Sequence, residues 1–111
     1  MIIVRSPLRI PIAGGGTDLP SFFNTNDGFL ISATINKYIY LTLNKTYKKE
    51  IILKYSNLEK VKNINSIKHE LIKSTLKNYF PKMMNIELNS IADIPSGTGL
   101  GSSGSFMVAL I

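Results

Sequence analysis

The chain contains no cysteine and no tryptophan, and its single histidine is His69. Without cysteine the protein can form neither a disulfide framework nor a reactive thiolate, a composition that favours the cytoplasm. One histidine cannot build a His-cluster metal site, and any Ser-His-Asp triad would have to use it. No apolar run approaches the about 20 residues of a membrane span, and residues 1–5 lack the layout of a signal peptide. We therefore expect a cytoplasmic protein with no membrane partner.

Acidic residues are also scarce, with seven against 13 Lys and Arg, and the net charge is +6. Such a balance can suit nucleic acid, but the lysines are scattered from residue 37 to residue 82. Solvated surface lysines are the favoured interpretation, so no nucleic-acid partner is expected. Hydrophobic residues make up 44% of the 111 residues and charged residues 18%, which is typical of a globular domain.

Apolar residues alternate with polar ones along much of the chain, which predicts strands. The predicted strands cover residues 2–12, 29–46, 51–55 and 84–89. Lys48-Lys49-Glu50 is interpreted as a hairpin connection between the second and third of these strands.

Two or three helical segments are expected between and after the strands. Pro20–Phe23 predicts a short helical turn with proline at its first position. Residues 66–80 carry apolar side chains on one helical face, with Ser66 as the expected N-cap and Pro81 as the stop. His69 falls on the polar side and is expected to be exposed to solvent. The order of strands, helix, strand, loop and helix predicts an α+β fold.

Residues 93–105, with the sequence DIPSGTGLGSSGS, are the most informative segment of the chain. Glycines at alternate positions, Gly97, Gly99 and Gly101, let the backbone turn sharply and present successive N–H groups to one point. The apolar run that follows predicts a helix beginning near Ser102. Because a helix N-terminus attracts phosphate, the segment predicts a cradle for nucleotide phosphates.

Three other kinds of loop share some of these features. A Walker-type loop is excluded, because Ser102 and Ser103 follow Gly101 where that loop needs Lys. The spacing of Gly99, Gly101 and Gly104 satisfies the dinucleotide fingerprint, but the ribose-binding carboxylate expected about 20 residues later would lie beyond residue 111. The dinucleotide-binding interpretation is therefore less favoured than the nucleotide-phosphate cradle. A plain glycine-rich surface loop is less favoured, since turns seldom need so many glycines.

A second glycine-rich segment, Gly14-Gly15-Gly16-Thr17-Asp18, lies far upstream and follows Arg9. Together the two segments resemble the GHMP kinases, the superfamily of galactokinase, homoserine kinase, mevalonate kinase and phosphomevalonate kinase. The resemblance implies that residues 1–111 are an N-terminal, ATP-binding domain with a ribosomal S5 domain 2-like α+β fold. Within the superfamily, RSPLRI followed by GGGTDLPSFF is most similar to the D-glycero-D-manno-heptose 7-phosphate kinases.

The resemblance implies a role for each matching residue. The loop that would wrap the ATP phosphates comprises Pro95, Ser96, Gly97, Thr98, Gly99, Leu100, Gly101, Ser102, Ser103 and Gly104. Ser103, or its neighbour Ser102, would ligate Mg²⁺, in keeping with a hydroxyl as a hard oxygen ligand. Arg9 would act near the transferring phosphoryl group. The sugar pocket would contain Gly14, Gly15, Gly16, Thr17 and Asp18, with Asp18 binding sugar hydroxyls. Outside the family context, Asp18 is typical of a turn and Arg9 of a surface.

The implied activity is transfer of the ATP γ-phosphate to the anomeric hydroxyl of heptose 7-phosphate, on the route to nucleotide-activated heptose for capsule, S-layer or lipopolysaccharide. Galactokinases carry Gly-Glu-His-Thr-Asp where this chain has residues 14–18. Losing the Glu and His disfavours galactose and leaves space for a larger or phosphorylated sugar. Two alternatives stay open: a kinase for another sugar or small alcohol in the superfamily, and a non-enzymatic module for RNA or another polyanion.

The last six residues, Phe106 to Ile111, are apolar and carry no capping Gly, Asn or Lys. This pattern predicts the N-terminal piece of a longer protein. The resemblance implies that the C-terminal domain is missing and that the aspartate base and a further Mg²⁺ carboxylate lie beyond residue 111. The isolated piece is expected to be inactive and to self-associate through exposed Phe106, Met107, Leu110 and Ile111.

Overall fold

The computed structural model describes all 111 residues and contains one five-stranded mixed sheet with three helices. The elements in chain order are β1 (Ile2–Ala13), α1 (Pro20–Phe23), β2 (Ile31–Lys45), β3 (Ile51–Lys54), β4 (Leu58–Val61), a 3₁₀ turn (Ile64–Ser66), α2 (Glu70–Tyr79), β5 (Ile86–Ala92) and α3 (Ser102–Leu110). The strand order across the sheet is β1-β2-β5-β3-β4. This architecture confirms the predicted α+β class. None of the helices combines the length and hydropathy that a membrane crossing requires.

Strands β1 and β2 form a long antiparallel pair at one edge of the sheet. Ile39 and Leu41 of β2 are buried, as their alternation with polar neighbours predicts. The pairing is irregular between Pro7 and Arg9, because proline has no N–H to give to the ladder. This irregularity matters for the site, since backbone groups of β1 are freed there for contacts with another segment.

The predicted hairpin at Lys48-Lys49-Glu50 is wrong. Strand β5 lies between β2 and β3, antiparallel to β2 and parallel to β3. Ile86 of β5 is in register with Lys45 on one side and with Ile51 on the other, so β5 fills the gap that a hairpin would have closed. The neighbouring sequence could not reveal this arrangement, because β5 arrives from a distant part of the chain.

Helices α2 and α3 cover one apolar face of the sheet, whereas α1 buries no residue. The core consists of 13 buried hydrophobic residues: Leu8, Ile39, Leu41, Ile51, Leu53, Ile64, Ile67, Ile72, Leu76, Ile86, Leu88, Phe106 and Ala109. Strand β4 was not predicted, and it places the carboxylate of Glu59 on this same inward face, in register with Leu53.

Helix α2 begins at Glu70, later than the sequence predicts, and its N-cap is His69. Ser66 is not the cap, because its N–H and hydroxyl both bond to the Asn63 side chain, at 3.0 Å each, in the preceding 3₁₀ turn. An Asn side chain that folds back in this way offers the backbone an alternative to the helix. His69 is therefore half-buried rather than exposed, which corrects its expected position.

Helix α3 also differs from expectation in what it exposes. Phe106 is buried, and Met107 and Leu110 are half-buried against the rest of the domain. Ile111 is exposed as predicted, with 65% of its surface accessible, and Val108 is exposed as well, with 73%. Phe106 belongs to the core, and its ring centroid lies 5.5 Å from that of His69. Self-association of residues 1–111 by themselves stays a prediction, with Val108 and Ile111 as the exposed apolar side chains of this segment.

Candidate active site

The glycine-rich loop before α3 is irregular, and α3 begins at Ser102, which confirms the predicted loop and helix start. Gly97, Gly99 and Gly101 have φ angles of 83°, 74° and 66°. This left-handed region costs glycine nothing and other residues about 1–2 kcal/mol. The alternation of these angles with ordinary ones makes a concave backbone of the kind that binds anions.

The N–H groups of this segment are free to bind a ligand. No backbone N–H from Gly99 to Gly104 donates a hydrogen bond to another group of the chain. Gly101 is the N-cap of α3, so no side chain satisfies the first turn of the helix. Unsatisfied donors and the helix dipole together favour a negatively charged ligand.

The loop is fixed to β1 at the irregularity in that strand. The Arg9 N–H donates to the Leu100 carbonyl at 3.2 Å. The hydroxyl of buried Ser105 donates to the Pro7 carbonyl at 2.7 Å. A Cβ on Gly101 would lie 2.9 Å from Cγ of Arg9, so the strand and the loop are in close contact. Ser105 was not singled out from the sequence, where nothing distinguishes it from the serines beside it.

A cleft of about 160 Å³ lies where the two glycine-rich segments meet. Its lining is mostly polar or glycine: Arg9, Pro11, Gly15, Gly16, Asp18, Leu30, Ser32, Gly99 and Gly101. Fold and sequence therefore agree that segments far apart in the chain form one site. The side chains of Arg9 and Asp18 are both exposed and available to a ligand there.

Two residues of the upstream segment hold the wall of this cleft without lining it. The Thr17 hydroxyl lies 2.8 Å from the Gly14 carbonyl and 2.9 Å from the Phe29 carbonyl, and it accepts from the Phe29 N–H at 3.1 Å. Gly14 has a φ of 72°, and a Cβ there would overlap the Phe29 carbonyl oxygen. Gly14 and Thr17 are thus structural, whereas Gly15, Gly16 and Asp18 face the cleft.

A larger cleft of about 620 Å³ lies on the other side of the glycine loop. Its lining residues from the loop and from α3 are Pro95, Ser96, Ser102, Ser103 and Phe106. Tyr55 and His69 also line it and form its aromatic wall. Gly97, Thr98, Leu100 and Gly104 line neither cleft. The loop thus separates a small polar cleft from a larger one with aromatic walls.

Ser102 and Ser103 place hydroxyl oxygens in the larger cleft at the start of α3. Such oxygens suit Mg²⁺, which keeps several waters and takes few protein ligands beside phosphate oxygens. No cluster of three or more His, Cys, Asp or Glu side chains exists that could hold a metal by itself. Asp93 also lines this cleft, and its carboxylate accepts from the Tyr38 N–H at 2.8 Å.

A buried carboxylate that the sequence did not reveal lies behind the aromatic wall. Glu59 accepts hydrogen bonds from the Tyr55 hydroxyl at 2.6 Å, the Lys68 N–H at 2.7 Å and the His69 N–H at 3.1 Å. Burial alone would raise its pKa, but these bonds outweigh that effect and lower the pKa of Glu59 below its usual value. The bond to Glu59, together with burial, raises the pKa of Tyr55.

Comparison with known proteins decides the family. The family model described as the N-terminal domain of the GHMP kinases matches residues 65–111. These residues belong to a GHMP kinase N-terminal domain. The matched residues run from the 3₁₀ turn to the end of α3 and include the whole glycine loop. The resemblance inferred from the sequence and the expected fold are both confirmed.

Relatives of this GHMP kinase domain are named as heptose phosphate kinases. A D-glycero-alpha-D-manno-heptose 7-phosphate kinase of Campylobacter jejuni is 33% identical over 121 residues, covering 99% of this chain and 36% of that protein. A crystal structure of a D-glycero-D-manno-heptose 1-phosphate kinase from Bacteroides thetaiotaomicron aligns with a TM-score of 0.85 and 25% identity, covering 99% of this chain and 40% of the other. The chain thus spans little more than a third of the length of these relatives.

The fold extends to a more distant member of the superfamily. A galactokinase of Lactococcus lactis, solved with galactose, aligns with a TM-score of 0.70 and 21% identity over 97% of this chain and 30% of the other. At that identity the match shows the shared fold alone. The fold of this domain is therefore shared with the galactokinase, and a shared fold by itself assigns no substrate.

Proposed function

We propose that the complete protein is an ATP-dependent sugar-phosphate kinase. In this proposal residues 1–111 are its N-terminal, ATP-binding domain, and a C-terminal domain completes the enzyme. The observation that carries the proposal is the meeting of two glycine-rich segments at the free N-terminus of α3, with one cleft on each side. The family match and the relatives named as heptose phosphate kinases support it.

We assign the larger cleft to ATP and the smaller one to the sugar. The unpaired N–H groups of residues 99–104 would hold the β- and γ-phosphates between the two. Mg²⁺, held by the Ser103 or Ser102 hydroxyl together with phosphate oxygens, would neutralise charge on the transferring group. Gly99 and Gly101 face the sugar cleft, so the γ-phosphate can point across the loop towards the acceptor.

In the proposed reaction the sugar oxygen attacks the γ-phosphorus, a new O–P bond forms, and the bond to the bridging oxygen of ADP breaks. The hydroxyl proton passes to a base that we place outside residues 1–111. Such transfers depend on positioning and charge neutralisation. Arg9 is suited to that task, because its side chain lies against Gly101 and lines the sugar cleft. Its guanidinium would stabilise charge on the equatorial oxygens.

The substrate we propose is D-glycero-D-manno-heptose 7-phosphate, phosphorylated on its anomeric hydroxyl. Asp18 would accept hydrogen bonds from two sugar hydroxyls, because an ionised carboxylate is an acceptor only. Gly15 and Gly16 leave room beside it, and a Cβ on Gly16 would meet nothing within 4 Å. The printed names of the two relatives agree on a heptose phosphate but differ on the phosphate position, 7 in one and 1 in the other.

A substrate panel with the complete gene product tests the proposal. ADP release is measured with heptose 7-phosphate, heptose 1-phosphate, galactose, mevalonate and homoserine, and phosphorus NMR locates the new phosphate. We expect heptose 7-phosphate to give the highest kcat/KM and a phosphate on the anomeric carbon. A free sugar that outperforms the sugar phosphate would overturn the substrate assignment. Steeply salt-dependent RNA binding without ATP binding would overturn the kinase itself.

A further inference from the structure

The carboxylate of Glu59 is more deeply buried than that of any other acidic residue in the chain, with 7% of the residue's surface accessible. It lies on the short edge strand β4 and faces the core beside Leu53. Burying a charge is costly unless it is fully hydrogen-bonded. Both of its oxygens are bonded, one to the Lys68 N–H and the other to Tyr55 and His69. An apolar side chain would fill this position without that cost. The presence of Glu59 here therefore points to a role for its hydrogen bonds.

The groups that Glu59 holds are those that form the aromatic wall of the larger cleft. Tyr55 and His69 both line that cleft. Their rings meet edge to face, with centroids 4.7 Å apart and planes at 82°. Aromatic pairs favour this arrangement, and the Glu59 bonds fix both partners at once, Tyr55 by its hydroxyl and His69 by its backbone.

The same wall continues into the phosphate-binding end of α3. The His69 ring lies 5.5 Å from the ring of Phe106, which follows Ser102 and Ser103 on the first turns of α3. His69 is also the N-cap of α2 through its Nδ1 atom. One buried carboxylate is therefore connected through two rings to the helix that presents the serine hydroxyls. Tyr55, His69 and Phe106 all line the larger cleft.

We propose that Glu59 is a positioning residue for the nucleotide: its carboxylate holds Tyr55 and His69 so that their rings form a fixed platform for the base of the nucleoside triphosphate. This inference rests on the proposed kinase function and adds to it a residue outside the glycine loop. Glu59 does not touch the nucleotide. It acts by keeping the aromatic wall at a constant distance from the N-terminus of α3, so that base and phosphates are bound together.

Glu59→Gln in the complete protein tests the assignment, because the amide keeps the shape but places an NH₂ group against N–H and O–H donors. We expect the KM for ATP to rise about tenfold, with kcat and the KM for the sugar phosphate within about twofold of wild type. Tyr55→Phe removes one of the three bonds and should raise the KM for ATP by a smaller factor. Glu87→Gln is the matched control, an exposed β5 carboxylate paired with Lys54 and outside both clefts.

The readouts separate failure of this inference from failure of the kinase proposal. A wild-type protein that neither binds ATP nor phosphorylates any sugar phosphate overturns the proposed function. A wild-type kinase whose Glu59→Gln and Tyr55→Phe variants keep the wild-type KM for ATP overturns the positioning role. So does a loss shared equally by both substrates, since a merely structural residue would act in that way. If Glu59→Gln fails to fold, Tyr55→Phe is the test. A rise in the KM for ATP without a rise in the KM for the sugar phosphate supports the positioning role, and an unchanged KM for ATP overturns it.

Discussion

Glycine has different roles in the two glycine-rich segments of this chain. In the upstream segment, Gly14 and Thr17 are packed against the backbone of Phe29, and the Thr17 hydroxyl closes the turn on itself. In the loop before α3, Gly97 and Gly99 have open space around them, and the N–H groups that follow have no partner in the chain. The first segment is mainly a wall, and the second is mainly a binding surface.

This difference shows that glycine content alone does not mark a ligand site. Both segments contain glycines with positive φ, Gly14 and Gly16 in one and three alternate glycines in the other. What distinguishes them is their surroundings: the upstream turn is closed by the Thr17 hydroxyl and the Phe29 backbone, whereas the loop before α3 leads into a helix start whose N–H groups are free. Substitutions in the loop should therefore affect nucleotide binding, and those upstream should affect the sugar or the stability of the wall.

The largest effect is expected from Gly101→Val. The new Cβ would contact Arg9 at 2.9 Å in a backbone conformation that valine rarely adopts, with φ at 66°. We expect loss of detectable ATP binding in the complete protein, measured by calorimetry, because the N–H groups at the helix start would be displaced. Val108→Ala is the control, since Val108 is exposed on α3 and lines neither cleft. Wild-type ATP affinity in Gly101→Val would contradict the loop assignment.

A smaller effect is expected from the serines that face the larger cleft. Ser103→Ala should lower kcat about 10–100-fold, since even indirect partners of a metal cost that much when removed. Its thermal stability should stay unchanged, because Ser103 is exposed and donates no hydrogen bond within the chain. Ser102→Ala is measured beside it under a titration of Mg²⁺. If only Ser102→Ala reduces turnover, the ligand is the earlier serine; if neither does, the metal assignment is wrong.

The sequence predicted the irregular loop and the start of α3, because both depend on local chemistry. It could not predict the position of β5 between β2 and β3, which depends on a strand from far along the chain. It also missed Glu59 and Ser105, whose roles come from partners 4 to 98 residues away. The sequence placed the N-cap of α2 at Ser66, whereas in the structure the Ser66 N–H donates to the Asn63 side chain in the preceding 3₁₀ turn. Tertiary contacts decided each of these cases.

In the upstream segment, Asp18→Asn should raise the KM for the sugar phosphate and leave that for ATP unchanged. The amide replaces one acceptor by a donor, and a mismatched pair of this kind costs about 1–3 kcal/mol. That cost corresponds to a rise of roughly 5–150-fold in KM. Asp27→Asn is the control, an exposed carboxylate nearby that lines neither cleft. Equal effects of the two substitutions would remove Asp18 from the proposed sugar pocket.

The last expected effect concerns stability rather than binding, and it follows from the hydrogen bonds that lower the pKa of Glu59. In the unfolded chain this carboxyl titrates near its usual value of about 4.3. Because the folded state favours the ionised carboxylate, Glu59 stabilises the fold fully above that pH. This stabilisation is lost as the pH falls through the lower pKa of the folded state. The groups facing it are Tyr55, the Lys68 and His69 N–H groups, and the His69 ring, which lies against Tyr55.

We expect the hydrogen-exchange protection of the Lys68 and His69 amides to fall on acidification below about pH 4, by an amount equivalent to about 1–3 kcal/mol. In Glu59→Gln the same amides should be weakly protected at every pH, with no acid-dependent loss. Protection that stays constant to pH 2 in the wild type would show that these amides do not depend on an ionised Glu59.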